Sequence, residues 1–154
     1  MMCAAQPALI GRELNFSPPP QPVAGRPKPA AASGRPTALV IDDEHIIADT
    51  IAEILNMNGF DAVSIYSGRD ALDQACAHCP DVVITDVVMP ELNGIETAKR
   101  LLAQCPSAKI LLVSGQAATA EMMNRARADG FNFELLAKPL HPEDLLAVLR
   151  QLGF

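Results

Sequence analysis

The sequence is short of positive charge: twelve Lys and Arg stand against eighteen Asp and Glu, a net charge of −6. That is the wrong sign for a chain that tracks nucleic-acid phosphates or anionic lipid, so no nucleic-acid partner is expected for it alone. No apolar run approaches the ~20 residues needed to span a bilayer. Residues Met1 to Gly11 also lack the basic start and long apolar stretch of a signal peptide. The expected setting is therefore cytoplasmic, with no membrane partner. Four cysteines (Cys3, Cys76, Cys79 and Cys105) do not amount to a disulfide scaffold in a chain of this size, and a cytoplasmic setting would keep them reduced. No internal repeat is visible. What the sequence does contain, 154 residues of which 49% are apolar, suits one domain of ordinary size and a tail.

The composition changes near residue 36. Eight of the thirteen prolines fall in Met1 to Pro36, and apolar periodicity is missing from Ser17 onward. Such a stretch cannot bury enough surface to offset its ordering entropy, so residues 1–36 are expected to be a disordered, Pro-rich N-terminal arm and residues 37–154 the folded domain. Arg12, Arg26, Lys28 and Arg35 against Glu13 leave the arm at +3 and the domain at −9.

Within the domain two periodicities alternate. Short runs rich in β-branched and apolar residues (Ala38 to Ile41, Ala62 to Ser64, Val82 to Thr85, Ile110 to Val113, Phe133 to Ala137) predict five strands. Between them, Ile47, Ile51, Ile54 and Leu55, then Leu72, Ala75, Cys76 and Cys79, then Ile95, Ala98 and Leu102, fall at helical spacing. Leu145, Val148, Leu149 and Leu152 mark the last helix, and a weaker stretch from Ala117 to Ala128 carries Met122, Met123 and Ala126 on one side. The first, third and fourth strands are continuously apolar, as when helices cover both faces of a sheet. An α/β fold follows: five helices around a doubly wound five-stranded parallel sheet.

In such sheets functional residues gather at the carboxyl ends of the strands. The first strand ends in Asp42-Asp43, the third in Asp86, the fourth in Ser114 and the fifth in Lys138-Pro139. With strand order 2-1-3-4-5 the switch point lies between strands 1 and 3, placing the three carboxylates on its two sides. Crowded carboxylates repel one another, and a hard divalent ion such as Mg²⁺ with oxygen ligands is the simplest compensation. With the metal and Lys138 neutralising an incoming group, one carboxylate can attack a phosphoryl group. Asp86, alone at the end of a buried strand, is the best candidate; Asp42 and Asp43 form a pair fit to hold metal.

These elements carry a family resemblance. Val40-Ile41-Asp42-Asp43-Glu44, Asp86 to Gly94, Val113-Ser114-Gly115 and Ala137-Lys138-Pro139-Leu140 resemble a response-regulator receiver domain of the chemotaxis-regulator type, with a flavodoxin-like sheet. The resemblance implies a single-domain response regulator of a two-component phosphorelay. It would be a phosphoprotein in signal transduction and no enzyme beyond catalysing its own phosphorylation and dephosphorylation. Asp86 would accept phosphate from a histidine kinase or phosphotransfer protein. Asp43, Asp86 and the backbone carbonyl of Val88 would bind Mg²⁺ with help from Asp42, and Ser114 and Lys138 would hold phosphoryl oxygens. A cis bond before Pro139 is implied as well. Output would pass by protein contact through the face of the fourth helix, fifth strand and fifth helix, with a phosphorylation-dependent dimer as one form and no effector domain expected after Phe154. The position where many receivers carry a switching aromatic is Leu135, leaving open whether Leu135, Phe131 or Phe133 takes that role. Val88 and Gln116 occupy positions that tune loss of the phosphoryl group, and an apolar Val88 predicts slow self-dephosphorylation.

Plainer readings compete. An Asp-Asp pair after a strand is commonly an N-cap, and Asp86 alone reads as a turn residue; their coincidence at shared strand ends favours the site. Cys76-Ala77-His78-Cys79 resembles a redox or zinc half-site, but both cysteines fall on the apolar stripe of the second helix and read as packing. His45 reads as a half-exposed surface residue. The rival functions are an unphosphorylated receiver-like scaffold and, less favoured, an aspartyl-phosphate phosphohydrolase, which wants a second acid where Val88 stands.

Overall fold

The computed structural model describes residues 34–115 and 119–154. The expected arm through residue 33, and Gln116, lie outside the described residues. Among the described residues, strands and helices alternate: β1 (Thr37–Ile41), α1 (His45–Asn56), β2 (Asp61–Ile65), α2 (Gly68–Ala77), β3 (Val82–Asp86), α3 (Gly94–Gln104), β4 (Lys109–Ser114), α4 (Thr119–Ala128), β5 (Glu134–Ala137) and α5 (Pro142–Gln151). All strand pairs are parallel, in the order β2-β1-β3-β4-β5. The doubly wound, flavodoxin-like α/β sheet read from the sequence is the fold.

The alternation of side chains along each strand divides the core in two. Leu39, Ile41, Val83, Ile110 and Leu112 face α2, α3 and α4, where Ala71, Ala75, Ile95, Ala98, Leu101, Met123 and Ala126 are buried. Ala38, Val40, Val82, Ile84, Leu111 and Val113 pack with Ala48, Ile51 and Leu55 of α1 and Leu145 and Leu149 of α5. Both faces of β1, β3 and β4 are thus covered, which is why those strands lack a polar face. The helix starts are specified locally. Ser67 accepts a hydrogen bond from the Asp70 N–H, Asn93 accepts one from the Glu96 N–H, and Pro142 opens α5.

Two sequence expectations are corrected. The fifth strand begins at Glu134, not Phe133. After α4 the chain turns back on itself, with the Gly130 and Phe131 amides donating to the Arg127 and Ala126 carbonyls, and Phe133 is buried against Met123 and Ala126 instead of extending the strand. The cysteines also differ: Cys79 and Cys105 form a disulfide, with Cα atoms 5.7 Å apart. Cys79 does not lie on the stripe of α2, because the helix ends at Ala77 and His78 turns extended (φ −160°, ψ 114°) before the Cys79-Pro80 dipeptide, where proline disfavours helix in the preceding residue. That turn carries Cys79 across to the end of α3.

The segment after β3 is held by close backbone packing. The Gly94 N–H donates to the Val87 carbonyl at 2.8 Å, and a Cβ at position 94 would overlap the Asp86 carbonyl oxygen. The start of α3 therefore rests directly on the end of β3. Gly94→Ala is expected to destabilise the domain by about 2–4 kcal/mol, read as a lower midpoint in urea denaturation.

Candidate functional site

Strand register brings the predicted residues to one edge. Ile41 pairs with Thr85 and Asp86 with Val113, so Asp42 and Asp86 emerge side by side from β1 and β3. Ser114 pairs with Ala137, and its carbonyl accepts a hydrogen bond from the Lys138 N–H at 3.1 Å. The peptide bond between Lys138 and Pro139 is cis. Gly115 lets the lysine stem pass, since a Cβ there would lie 3.3 Å from the Lys138 Cβ.

Asp42, Asp43 and Asp86 each offer a carboxylate oxygen within 4.8 Å of the others. Lys138 Nζ stands 3.4 Å from Asp86 Oδ1 and 3.7 Å from Asp42 Oδ2. Asp42 and Asp86 are 3% and 9% exposed and Ser114 is 7% exposed, whereas Asp43 is open to solvent. Val88, two residues beyond Asp86, is exposed. The acidic pair does not cap α1: the N-cap is Glu44, without a side-chain bond, and Asp42 Oδ1 instead accepts from the Glu44 N–H at 3.0 Å. Its other oxygen is left for the pocket.

The electrostatics show a site short of positive charge. Burial pushes the Asp42 carboxyl above its ordinary value, opposed by the Glu44 N–H, while the Asp86 charge adds to the rise. Burial raises Asp86 too, with the Lys138 ammonium pulling it back. One lysine does not compensate three carboxylates. All the convergent donors are oxygens, the chemistry of a Mg²⁺ site.

Three features escaped the sequence reading. His45 stacks on Tyr66 with ring centroids 3.7 Å apart. The Tyr66 and Ser64 hydroxyls each donate to Asp49 Oδ1 at 2.6 Å, holding the Asp49 carboxyl below its ordinary value. No local pattern announces this network, because it joins α1 to β2. An apolar groove of about 300 Å³ also runs between α1 and α5, lined by Ile46, Ile47, Ile54, Pro139 and Leu140 and reaching Lys138; Ile46 is 81% exposed. On the far side, Phe131 and Phe133 stack on each other at 5.6 Å. They precede β5, whereas Ser114 pairs with Ala137 at its other end. Leu135 is 43% exposed.

Comparison with known proteins agrees with this geometry. The response regulator receiver domain family matches residues 38–150. Curated relatives include Response regulator MprA of Mycolicibacterium vanbaalenii, 32% identical over 114 residues that are 74% of this chain and 48% of that protein. Another is the probable transcriptional regulatory protein TcrX of Mycobacterium tuberculosis, 30% identical over 122 residues, 79% of this chain and 51% of that one. The chain spans about half the length of these relatives. Similar solved structures include a response regulator receiver domain protein of Clostridium thermocellum, with a TM-score of 0.68 and 29% identity over 75% of this chain and 92% of that one. Chemotaxis protein CheY4 of Vibrio cholerae gives a TM-score of 0.68 and 28% identity over 76% and 98%. This chain belongs to the response regulator receiver domain family, the signalling modules of two-component systems, in which phosphorylation and Mg²⁺ are general features.

A carboxyl whose pKa is raised on folding binds more protons in the folded state, so its contribution to stability falls as pH rises from the ordinary carboxylate value through the raised one. Asp86→Asn is therefore expected to raise Tm at neutral pH without added metal, by about 2–6 °C. The gain should shrink as pH falls toward about 3.9. Scanning calorimetry across pH checks it; a lower Tm for the variant at neutral pH contradicts the reading.

Proposed function

We propose that this domain is a phosphorylation-operated binding module in which Asp86 accepts a phosphoryl group from a histidine kinase or phosphotransfer protein. The observation that carries the reading is the convergence of Asp42, Asp43 and Asp86 within 4.8 Å, with Lys138 against Asp86 and Asp42. In the transfer, an Asp86 carboxylate oxygen forms the new bond to phosphorus. The bond from phosphorus to the donor imidazole nitrogen breaks, its electron pair returning to the ring. Lys138 pairs with the negative phosphoryl oxygens, and the Ser114 hydroxyl donates to one of them. Asp42, Asp43, Asp86 and the Val88 backbone carbonyl would hold Mg²⁺, which would supply positive charge to the transferring group. The domain thereby catalyses its own phosphorylation and is not otherwise an enzyme. The partner this chemistry needs is a protein carrying a phosphohistidine, and the setting proposed for both is cytoplasmic. No helix among the described residues is long and apolar enough to cross a membrane.

Docking and output fall on different faces. The groove beside Lys138, with Ile46 at its rim, suits an apolar helix presenting the donor histidine. The exposed Leu135 lies beside a second groove of about 490 Å³ between α4 and β5, lined also by Met123, Asn124 and Arg127. That face of α4, β5 and α5 is the output surface for a protein target or a second copy. Hydrogen bonds to the phosphoryl group contribute roughly 1.5–3 kcal/mol each. One or two made only in the phosphorylated arrangement shift a two-state equilibrium by about tenfold to ten-thousandfold. The net charge of −9 on residues 37–154 argues against nucleic-acid contact by the domain.

With Mg²⁺ and a small acyl-phosphate donor, the mass of the wild-type chain is expected to rise by one phosphoryl group. The gain should vanish with a chelator or in Asp86→Asn; labelling of Asp86→Asn to the wild-type level contradicts the assignment. Val88 lacks a side chain able to orient an attacking water. Val88→Asn is therefore expected to hasten loss of the phosphoryl group, by about tenfold. An unchanged or slower decay counts against that role.

A further inference from the structure

We propose that Cys79 and Cys105 are a reversible thiol–disulfide switch that governs the mobility of the segment carrying Asp86. The bond joins residues 26 apart in sequence, and the ring it closes contains all of β3, the loop beyond Asp86 and all of α3. Both ends of the acceptor segment are thereby tied together at the edge of the sheet opposite the carboxylates. Inside the ring, α3 rests on the Asp86 carbonyl at Gly94. Displacement of α3 is thus mechanically linked to the position of Asp86.

The two sulphurs differ in the way exchange chemistry requires. Cys79 is exposed and Cys105 is 3% exposed, so an incoming thiolate reaches Cys79. In the reductive direction a small thiolate of the glutathione class forms a bond to Cys79 Sγ. The Cys79–Cys105 bond breaks, and Cys105 leaves as a thiolate that takes up a proton. A second small thiolate then forms a bond to the small-molecule sulphur of the mixed disulfide; the bond from that sulphur to Cys79 breaks, releasing the oxidised small disulfide and a Cys79 thiolate that takes up a proton. The net change is one protein disulfide and two small thiols giving two protein thiols and one small disulfide; oxidation is the reverse.

Packing accommodates either state. Cys79 Sγ lies 3.8 Å from the Gln104 carbonyl oxygen and Cys105 Sγ 4.0 Å from that of Ala75. Each thiol, once formed, has an acceptor for its proton in place. Reduction requires the two sulphurs to move apart, and the exposed Cys79 side chain has solvent into which to turn. Oxidation removes open conformations from the enclosed segment, because a cross-link restricts the ensemble its ends can explore.

The switch is tested without any phosphoryl group, so its failure is separable from failure of the phosphoacceptor reading. The full chain, wild type and Cys3→Ser/Cys76→Ser, is equilibrated in glutathione buffers spanning cytosolic to oxidising ratios. Differential alkylation with peptide mass mapping, and amide hydrogen exchange, are then measured. The expected result is that Cys79 and Cys105 convert together and reversibly within that range. Exchange across residues 82–104 should slow about tenfold or more in the oxidised form. Cys79→Ser should exchange at the reduced rate in every buffer. A pair that stays oxidised or stays reduced throughout overturns the proposal. So does pairing of Cys79 with another cysteine, or exchange over residues 82–104 indifferent to redox state.

Discussion

Three carboxylates held within 4.8 Å of one another, two of them nearly buried and facing a single lysine ammonium, impose the constraint to which the rest of the domain answers. Such a cluster is costly to fold, because burial favours the neutral acids and their mutual repulsion adds to the effect. The sheet meets that cost elsewhere, through two apolar layers that cover both faces of β1, β3 and β4. What remains is a pocket poised for positive charge and for an incoming group that brings its own counter-ion. On the proposed function, the same imbalance is what a bound cation and a phosphoryl group with its counter-ion would relieve.

Position is supplied by rigid elements and consequence by looser ones. Asp42 and Asp86 stand at the ends of fully buried strands, and the start of α3 is pressed against the Asp86 backbone. Lys138 and Ser114 are tied to each other through the backbone at the β4 and β5 ends. By contrast, β5 is an edge strand that is mostly exposed. A charge change at the buried strand ends is thus linked, through Lys138 at the end of β5, to the part of the sheet with the least packing to resist movement.

Much of this was legible in the sequence. The apolar runs of β1, β3 and β4 and the acids that end them are local patterns, and the rule that sites gather at carboxyl strand ends turns them into one pocket without knowledge of side-chain packing. Elements that depend on tertiary approach were not legible. Cys79 and Cys105 meet only because a turn before Pro80 and the packing of α2 on α3 bring them together; spacing instead placed Cys76 and Cys79 together on the stripe of the second helix as reduced packing residues. The stack of His45 on Tyr66 and the Asp49 network join two elements whose faces no periodicity specifies. Phe133 reads as a strand residue by propensity, yet the turn after α4 commits it to the core, where burial outweighs strand pairing.

The central claim is that Asp86 is the residue that becomes phosphorylated. Borohydride reduction of the chain after incubation with Mg²⁺ and an acyl-phosphate donor converts an aspartyl phosphate to homoserine, and peptide sequencing by mass spectrometry locates it. The account predicts homoserine at position 86 and at no other acidic residue. Homoserine at Asp42, Asp43 or elsewhere, or none while the phosphoryl label is on the chain, would contradict it.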